Sequence, residues 1–237
     1  MEKKIIMITG ATGGLGREMV KHFEQQDVIL VLHAFQQEPF SVKVEHTWFT
    51  ADLRNETEIE RMIEAVLANY QRVDVLINNA GISKNGMSWK LSANDFNEVL
   101  AVNLTAPFLL AKGLLPAMRN SGFGRIISIS SVVAQTGVPG TVAYAASKAG
   151  ILGMTKTIAK ETAQAGITCN ALALGYFDKG MIDEVPEEIQ QAIVSAIPKG
   201  KLGSVESILH TLDWLLLPAS DYVTGQTISL NGGLFNS

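Results

Sequence analysis

Residues Lys3–Gly16 read KKIIMITGATGGLG. The short apolar run Lys3–Thr9, with its β-branched residues, reads as a buried strand. It enters Gly10-Ala11-Thr12-Gly13-Gly14-Leu15-Gly16, after which Arg17–Gln25 has helical spacing. Strand, glycine turn and helix together present free backbone N–H groups and a helix N-terminus, the arrangement that receives a phosphate. Glycines are needed there because a side chain would keep a pyrophosphate at a distance. Gly10, Gly14 and Gly16 do not follow the commoner G-x-G-x-x-G spacing, so a plain tight turn also fits. The strand–helix context favours dinucleotide binding.

Beyond the turn the chain keeps alternating. Val28–Leu32 is a second strand, and its end would meet an adenosine ribose, where an acid selects NAD and a basic residue NADP. His33-Ala34-Phe35-Gln36-Gln37 offers neither, and Glu38-Pro39 leaves any helix short or missing before a strand over Val44–Thr50. Asn55–Tyr70 is an amphipathic helix with an Asn or Thr cap and early glutamates. Val73–Ile77 is a strand running into Asn78-Asn79-Ala80-Gly81, which reads as a site edge or as a structural turn. Asp95–Met118 carries a long helical pattern interrupted by Pro107 and Pro116, with Asn103 among apolar neighbours. Gly124–Ser130, Gly166–Ala173 and Thr227–Leu230 are further strands. Tyr144–Lys160 and Val205–Leu217 are helices, and Phe177–Ile197 suits a mobile loop over a site. The alternation predicts an α/β fold, a doubly wound parallel sheet of Rossmann type, in one domain spanning residues 1–237. In such sheets ligands bind outside the carboxyl ends of the strands. Gly10–Gly16, Asp52, Asn78–Gly81, Ser131 and Leu174-Gly175 all fall at such ends.

Bulk properties exclude several classes. The chain has 237 residues, 47% hydrophobic and 18% charged, which is globular and ample for a core. A formal charge of −4 without runs of like charge speaks against nucleic acid or an anionic membrane as partner. Cys169 is the single cysteine, so there is no internal disulfide, and His22, His33, His46 and His210 lack ligand spacing, so no metal site is expected. The start is too short for a signal sequence, no stretch reads as a membrane span, and a cytoplasmic protein is expected.

The stretch Ser131–Lys148, SVVAQTGVPGTVAYAASK, carries the candidate chemistry. Tyr144 and Lys148, four apart on a helix, share a face. A phenol beside a fixed cation is a proton donor near neutral pH if the cation lowers its pKa by ~2 units, about 3 kcal/mol of preference for the phenolate. A packed ring and a solvated charge is the alternative from these residues alone. Strand alternation puts Ser131, not Ser130, on the side of the site.

Together these segments resemble the short-chain dehydrogenase/reductase family end to end. Thr9-Gly10-x-x-x-Gly14-x-Gly16 resembles its cofactor motif, Asp52-Leu53 its adenine-contacting position, and Asn78-Asn79-Ala80-Gly81 its NNAG turn. Asn103, Ser131, Tyr144 and Lys148 match its catalytic tetrad. Within the family, GRIISISS, YAASKAG, GITCNA and TGQTISLNGG are most similar to 3-oxoacyl-[acyl-carrier-protein] reductase-type ketoreductases. The resemblance implies an NAD(P)H-dependent ketone reductase, with a 3-oxoacyl thioester on acyl carrier protein or CoA as a candidate substrate. It implies that Tyr144 is the proton donor and that Ser131 hydrogen-bonds the substrate oxygen. Lys148 would bind the nicotinamide ribose and lower the Tyr144 pKa, and Asn103 would hold a water that links Lys148 to solvent. Cofactor contacts would come from Gly10, Gly14, Leu15, Gly16, Asp52, Leu53, Asn79, Ala80, Gly81, Tyr144, Lys148 and Gly175. NADP(H) is preferred over NAD(H) by family habit, and a homo-oligomer, dimer or tetramer, is implied through the helices around Thr105–Met118 and Ile151–Thr162. The apolar pocket wall would include Ser83, Gln135, Val138, Tyr176 and Met181.

Three departures stand against the family pattern. Leu174-Gly175 replaces Pro-Gly, Lys179 stands near a Thr that usually faces the cofactor, and Gly122 and Ala165 occupy positions where carrier-protein reductases carry basic residues. These motivate the alternative of a non-catalytic dinucleotide sensor or scaffold on the same fold.

Overall fold

The structure is a computed structural model that describes residues 3–36, 40–180, 182 and 185–236. Seven strands form one sheet in the order β3-β2-β1-β4-β5-β6-β7, every neighbouring pair parallel. They are β1 Lys4–Ile8, β2 Val28–Ala34, β3 Thr47–Thr50, β4 Val75–Asn78, β5 Gly124–Ser131, β6 Ile167–Leu174 and β7 Thr227–Leu230. Parallel strands buried on both faces need apolar residues on both, which is why β1 and β4 read as near-continuous hydrophobic runs; β5 and β6 are buried throughout as well, with small polar residues among their apolar ones. The strand order reverses between β1 and β4, so their carboxyl ends open a crevice at the switch point.

Helices cover the two faces: α1 Gly14–Phe23, α2 Glu56–Tyr70, α3 Ala93–Leu100, α4 Ala106–Ser121, α5 Val133–Thr136, α6 Val142–Thr162, α7 Glu187–Ala196 and α8 Val205–Leu216. One core, with Met7, Leu76, Ile126 and Cys169, packs under α2, α4 and α6; the other, with Ile6, Ile8, Ile77 and Leu172, packs under α1 and α8. Asn55 caps α2 through its side chain, as expected from the sequence.

Four local expectations change. β3 begins at Thr47, because Val44 is exposed. The prolines do not break the Asp95–Met118 helix: Pro116 sits inside α4, and Pro107 follows a π-helical turn, Ala101–Thr105, that joins α3 to α4. The helical run Ala93–Ser121 is long and apolar enough to cross a membrane by length and composition, contrary to the reading that no stretch is. Half of that apolar window is buried in the fold, so it is explained by a helix apolar on both its core-facing and its outer side. Finally, Phe177–Ile197 is more than a loop. It contains α7 and anchors itself through the buried side chains of Phe177, Ile182 and Ile197.

Candidate active site

The glycine turn is shaped by contacts that leave no room for side chains. Gly10 has φ +63°, and a Cβ on it would lie 2.8 Å from Ala80 Cα. A Cβ on Gly16 would lie 2.2 Å from the Gly10 carbonyl oxygen. The turn is locked to the end of β4: Thr9 Oγ1 accepts from the N–H groups of Asn79 and Ala80 at 3.0 and 3.1 Å, and the Asn79 amide donates to the carbonyls of Thr9 and Gly10. At the start of α1 no side chain caps the helix and the first turn holds no acid. No cap and no acid competes for an anion at that end, and the site fits a dinucleotide pyrophosphate. Gly14 faces a different neighbour. A Cβ on it would lie 2.9 Å from Gly180 Cα, so the backbone after β6 rests on the turn. Leu15 packs into the core beneath.

The adenosine end differs from the sequence reading. The Asp52 carboxylate is gripped by Arg54, Nε to Oδ1 at 2.9 Å and Nη2 to Oδ2 at 2.6 Å, which holds its pKa below the usual carboxylate range. Arg54 also reaches Glu98 at 2.8 Å and stacks over Phe35, just past β2. Leu53 sends its side chain into the core, so only its backbone can face a ligand. Arg17 donates to the Thr12 carbonyl and stacks over Phe40. Two guanidiniums thus flank the β2 end, which the sequence reading left without a cation.

On the β5 side the strand alternation sorts the two serines. Ser130 Oγ donates to the Lys148 carbonyl at 2.9 Å and anchors α6. Ser131 lies beside the Tyr144 hydroxyl, where it favours the phenolate, and its Oγ accepts the Val133 N–H at 3.2 Å. Lys148 is 4% exposed, and burial lowers its pKa to about 8. Its Nζ donates to the Ile129 carbonyl at 2.8 Å and lies 5.6 Å from the Tyr144 ring centroid. The expected depression of the Tyr144 pKa is not found; the phenol is shifted the other way. Burial pushes the phenol up and Tyr176 adds to that, while Ser131 alone opposes it.

Asn103 is buried in the π-helical turn and its side chain is fully occupied. Oδ1 accepts from the Ile82 N–H at 2.8 Å, and Nδ2 donates to the Ile82 carbonyl and Ser147 Oγ. Gly81 lies against both side chains: a Cβ on it would make ordinary contacts, 3.4 Å to Lys148 Nζ and 3.5 Å to Asn103 Oδ1. Pro107 has no N–H, which deprives the Asn103 carbonyl of the donor four residues on. The π-helical turn and Pro107 are the signals that sequence reasoning missed at this position.

Gly175 donates its N–H to the Leu230 carbonyl at 2.8 Å and packs on Asn231, so without a proline the turn after β6 is tied to β7. Lys179 is exposed. A cavity of about 600 Å³ opens beyond Tyr176, walled by Phe177, Ile197 and Leu230 with Lys199 and Lys201 on its lining; Ser131 and Tyr144 do not line it. Of the other expected wall residues, Val138 is exposed, Ser83 donates to Asn85, and the Gln135 carbonyl oxygen is buried without a partner. Met181 lies outside the described residues.

Comparison with known proteins agrees with this geometry. Residues 4–190 match the family described as short chain dehydrogenase. The chain is similar to Nodulation protein G of Rhizobium sp. (strain N33), 38% identical over 96% of this chain and 95% of that protein. It is similar to 3-oxoacyl-[acyl-carrier-protein] reductase FabG of Thermotoga maritima, 34% identical over 99% and 98% of the two chains. The corresponding protein of Haemophilus influenzae is 32% identical over the full length of both. A seven-stranded parallel sheet, a glycine turn built for a pyrophosphate and a family match over most of its length lead to one conclusion: the chain belongs to the short-chain dehydrogenases and is an NAD(P)-dependent oxidoreductase that reduces ketones.

Proposed function

We propose that this enzyme reduces a 3-oxoacyl thioester to the 3-hydroxyacyl product, with Tyr144 as proton donor. The observation that carries the reading is the buried Lys148, its Nζ on the Ile129 carbonyl and 5.6 Å from the Tyr144 ring centroid, with Ser131 beside the phenol and the glycine turn on the same sheet rim. When bound, the reduced nicotinamide supplies the hydride. Ser131 holds the ketone oxygen, and Tyr144 transfers its hydroxyl proton to that oxygen as charge develops. The Lys148 ammonium stabilises the phenolate left behind and orients the nicotinamide ribose. Asn103, whose backbone carbonyl has no N–H four residues on because Pro107 lacks one, holds a water that returns a proton towards Lys148.

The thioester is supported by the cavity beyond Tyr176, whose mixed lining sets Phe177, Ile197 and Leu230 beside Lys199 and Lys201 for an anionic arm. Neither lysine has a carboxylate partner among the described residues. Carrier protein and CoA present the same phosphopantetheine. Gly122 ends α4 in the left-handed conformation and Ala165 is uncharged, so CoA suits this chain better than a docked acidic carrier. NADP(H) is supported over NAD(H) by Arg17 and Arg54 beside the β2 end. A homo-oligomer is supported by the outer face of α4, where Phe108 is 48% exposed; a solely monomeric mass by light scattering would refute it.

The deciding experiment assays Tyr144→Phe on acetoacetyl-CoA, an acyl-carrier-protein thioester and a small neutral ketone. Expected is a fall in hydride transfer of about 10²- to 10⁴-fold with dinucleotide affinity within a few-fold of wild type. Near-wild-type turnover by the variant would refute Tyr144 as donor. Wild-type turnover of the neutral ketone with none of either thioester would refute the substrate.

A further inference from the structure

We propose that His33 is a positioning residue for the dinucleotide-binding turn, and that only its neutral form holds the turn in the binding geometry. His33 opens the segment HAF at the end of β2, where the sequence shows neither of the usual ribose selectors. The side chain is 2% exposed and spans three strand ends. Its Nδ1 accepts the Gly10 N–H at 3.2 Å, in the turn after β1. Its Nε2 meets the Ala51 carbonyl at 3.0 Å, just past β3. Its own backbone carbonyl accepts the Ala11 N–H at 2.9 Å.

These contacts fix the proton. A carbonyl can only accept, so Nε2 carries the hydrogen; the Gly10 N–H can only donate, so Nδ1 carries none. The neutral Nε2–H tautomer satisfies every partner. A second proton would sit on Nδ1, donor against donor with Gly10. The Gly10 peptide has little freedom to turn away. Its carbonyl already accepts from the Asn79 amide at 3.1 Å and the Gly13 N–H at 3.1 Å, and Ala80 packs against its Cα. Charging the ring therefore has to shift the turn on which the pyrophosphate rests.

The charged surroundings do little to offset this. The β1 turn, Thr9–Gly13, and the β4 end, Asn78–Gly81, contain no titratable side chain. On the β3 side Asp52 faces the ring and favours its charged form, but that carboxylate is held by Arg54, and Glu58 accepts the Asp52 N–H. Burial outweighs Asp52 and moves the His33 pKa below its ordinary value. A lowered histidine pKa means that the unfolded chain binds a proton first as pH falls. The arrangement is intact above about 6.5 and is lost as pH drops through the folded value.

The test is calorimetric titration with NADP⁺ from pH 5 to 8, comparing wild type with His33→Asn and His33→Ala. An Asn Oδ1 occupies the place of Nδ1 and accepts from Gly10 without titrating. The 2′-phosphate titrates identically for all three proteins and cancels in their ratios. Expected is a wild-type affinity that falls relative to His33→Asn by up to about tenfold per pH unit below the folded pKa, with a constant ratio above pH 7. His33→Ala should bind more weakly at every pH. A wild-type to His33→Asn ratio constant across the range, with near-ultraviolet circular dichroism showing folded protein, would overturn the proposal. Ring ¹⁵N resonances give a readout that needs no variant. Binding must be reciprocal, so NADP⁺ should depress the His33 pKa further, and an unchanged pKa on saturation would equally overturn it.

Discussion

The Lys148 ammonium donates to the Ile129 carbonyl at 2.8 Å from a site closed to solvent. The cation is thus tied to β5, the strand that delivers Ser131, while α6 supplies both Lys148 and Tyr144. Strand and helix are joined a second time by Ser130 on the Lys148 carbonyl. Tyr144, Ser131 and Lys148 are therefore held by one strand–helix pair, and their geometry does not depend on a mobile loop.

Burial sets a pH window for Lys148. Its pKa of about 8 in the fold lies below the ordinary value of 10.5, so unfolding takes up a proton between those limits. Stability should rise with pH across that window relative to Lys148→Met, which cannot titrate; urea midpoints from pH 7.5 to 10 measure it. Activity should run the other way. The ammonium is lost above about pH 8, so kcat/KM for ketone reduction should fall there, and Lys148→Arg should move any residual activity's fall to higher pH.

Gly16→Ala places a methyl 2.2 Å from the Gly10 carbonyl oxygen. The backbone must move, at a cost of about 1–3 kcal/mol by urea unfolding. Dinucleotide binding should be lost beyond the measurable range. Affinity within threefold of wild type would contradict the role given to the turn.

Lys199→Gln with Lys201→Gln should raise the KM for acetoacetyl-CoA about tenfold, equivalent to about 1.4 kcal/mol, with little change in kcat. The KM for a small neutral ketone should not move. Equal effects on both substrates would remove the cavity from the thioester site.

Arg17→Glu tests the adenosine end. Among the described residues Arg17 has no carboxylate partner, and a glutamate there would face a 2′-phosphate with like charge. The ratio of NADPH to NADH affinity should fall at least tenfold, read from binding titrations. An unchanged ratio would leave Arg54 as the cation to examine.

Much of this was legible in the chain. Alternating apolar runs and helices give the doubly wound sheet because each parallel strand must be covered on both faces, and the glycines and NNAG fall at strand ends by simple counting. Side-chain alternation along β5 separated Ser130 from Ser131. What stayed hidden depends on contacts between distant segments. His33 looked like an ordinary histidine until β1, β2 and β3 brought Gly10 and Ala51 to its two nitrogens. Arg54 capturing Asp52 is a two-residue local pairing, but its stacking on Phe35 needs the tertiary fold. Pro107 looked like a break in a helix and sits beside a π-helical turn, because the helix absorbed one extra residue instead of ending.

The resting of Gly180 on Gly14 links two sites that sit on different strands. If a dinucleotide at the turn needs the space that Gly180 takes, its apparent affinity is the intrinsic affinity scaled by the fraction of molecules in which the segment is raised. The same segment begins at Tyr176, which lines the cavity, and is fastened there by the Gly203 N–H on the Tyr176 carbonyl at 2.9 Å. On that condition, occupancy of the cavity and occupancy of the turn draw on one conformational equilibrium, and the order in which the two ligands arrive is a property of residues 176–180 as much as of either ligand.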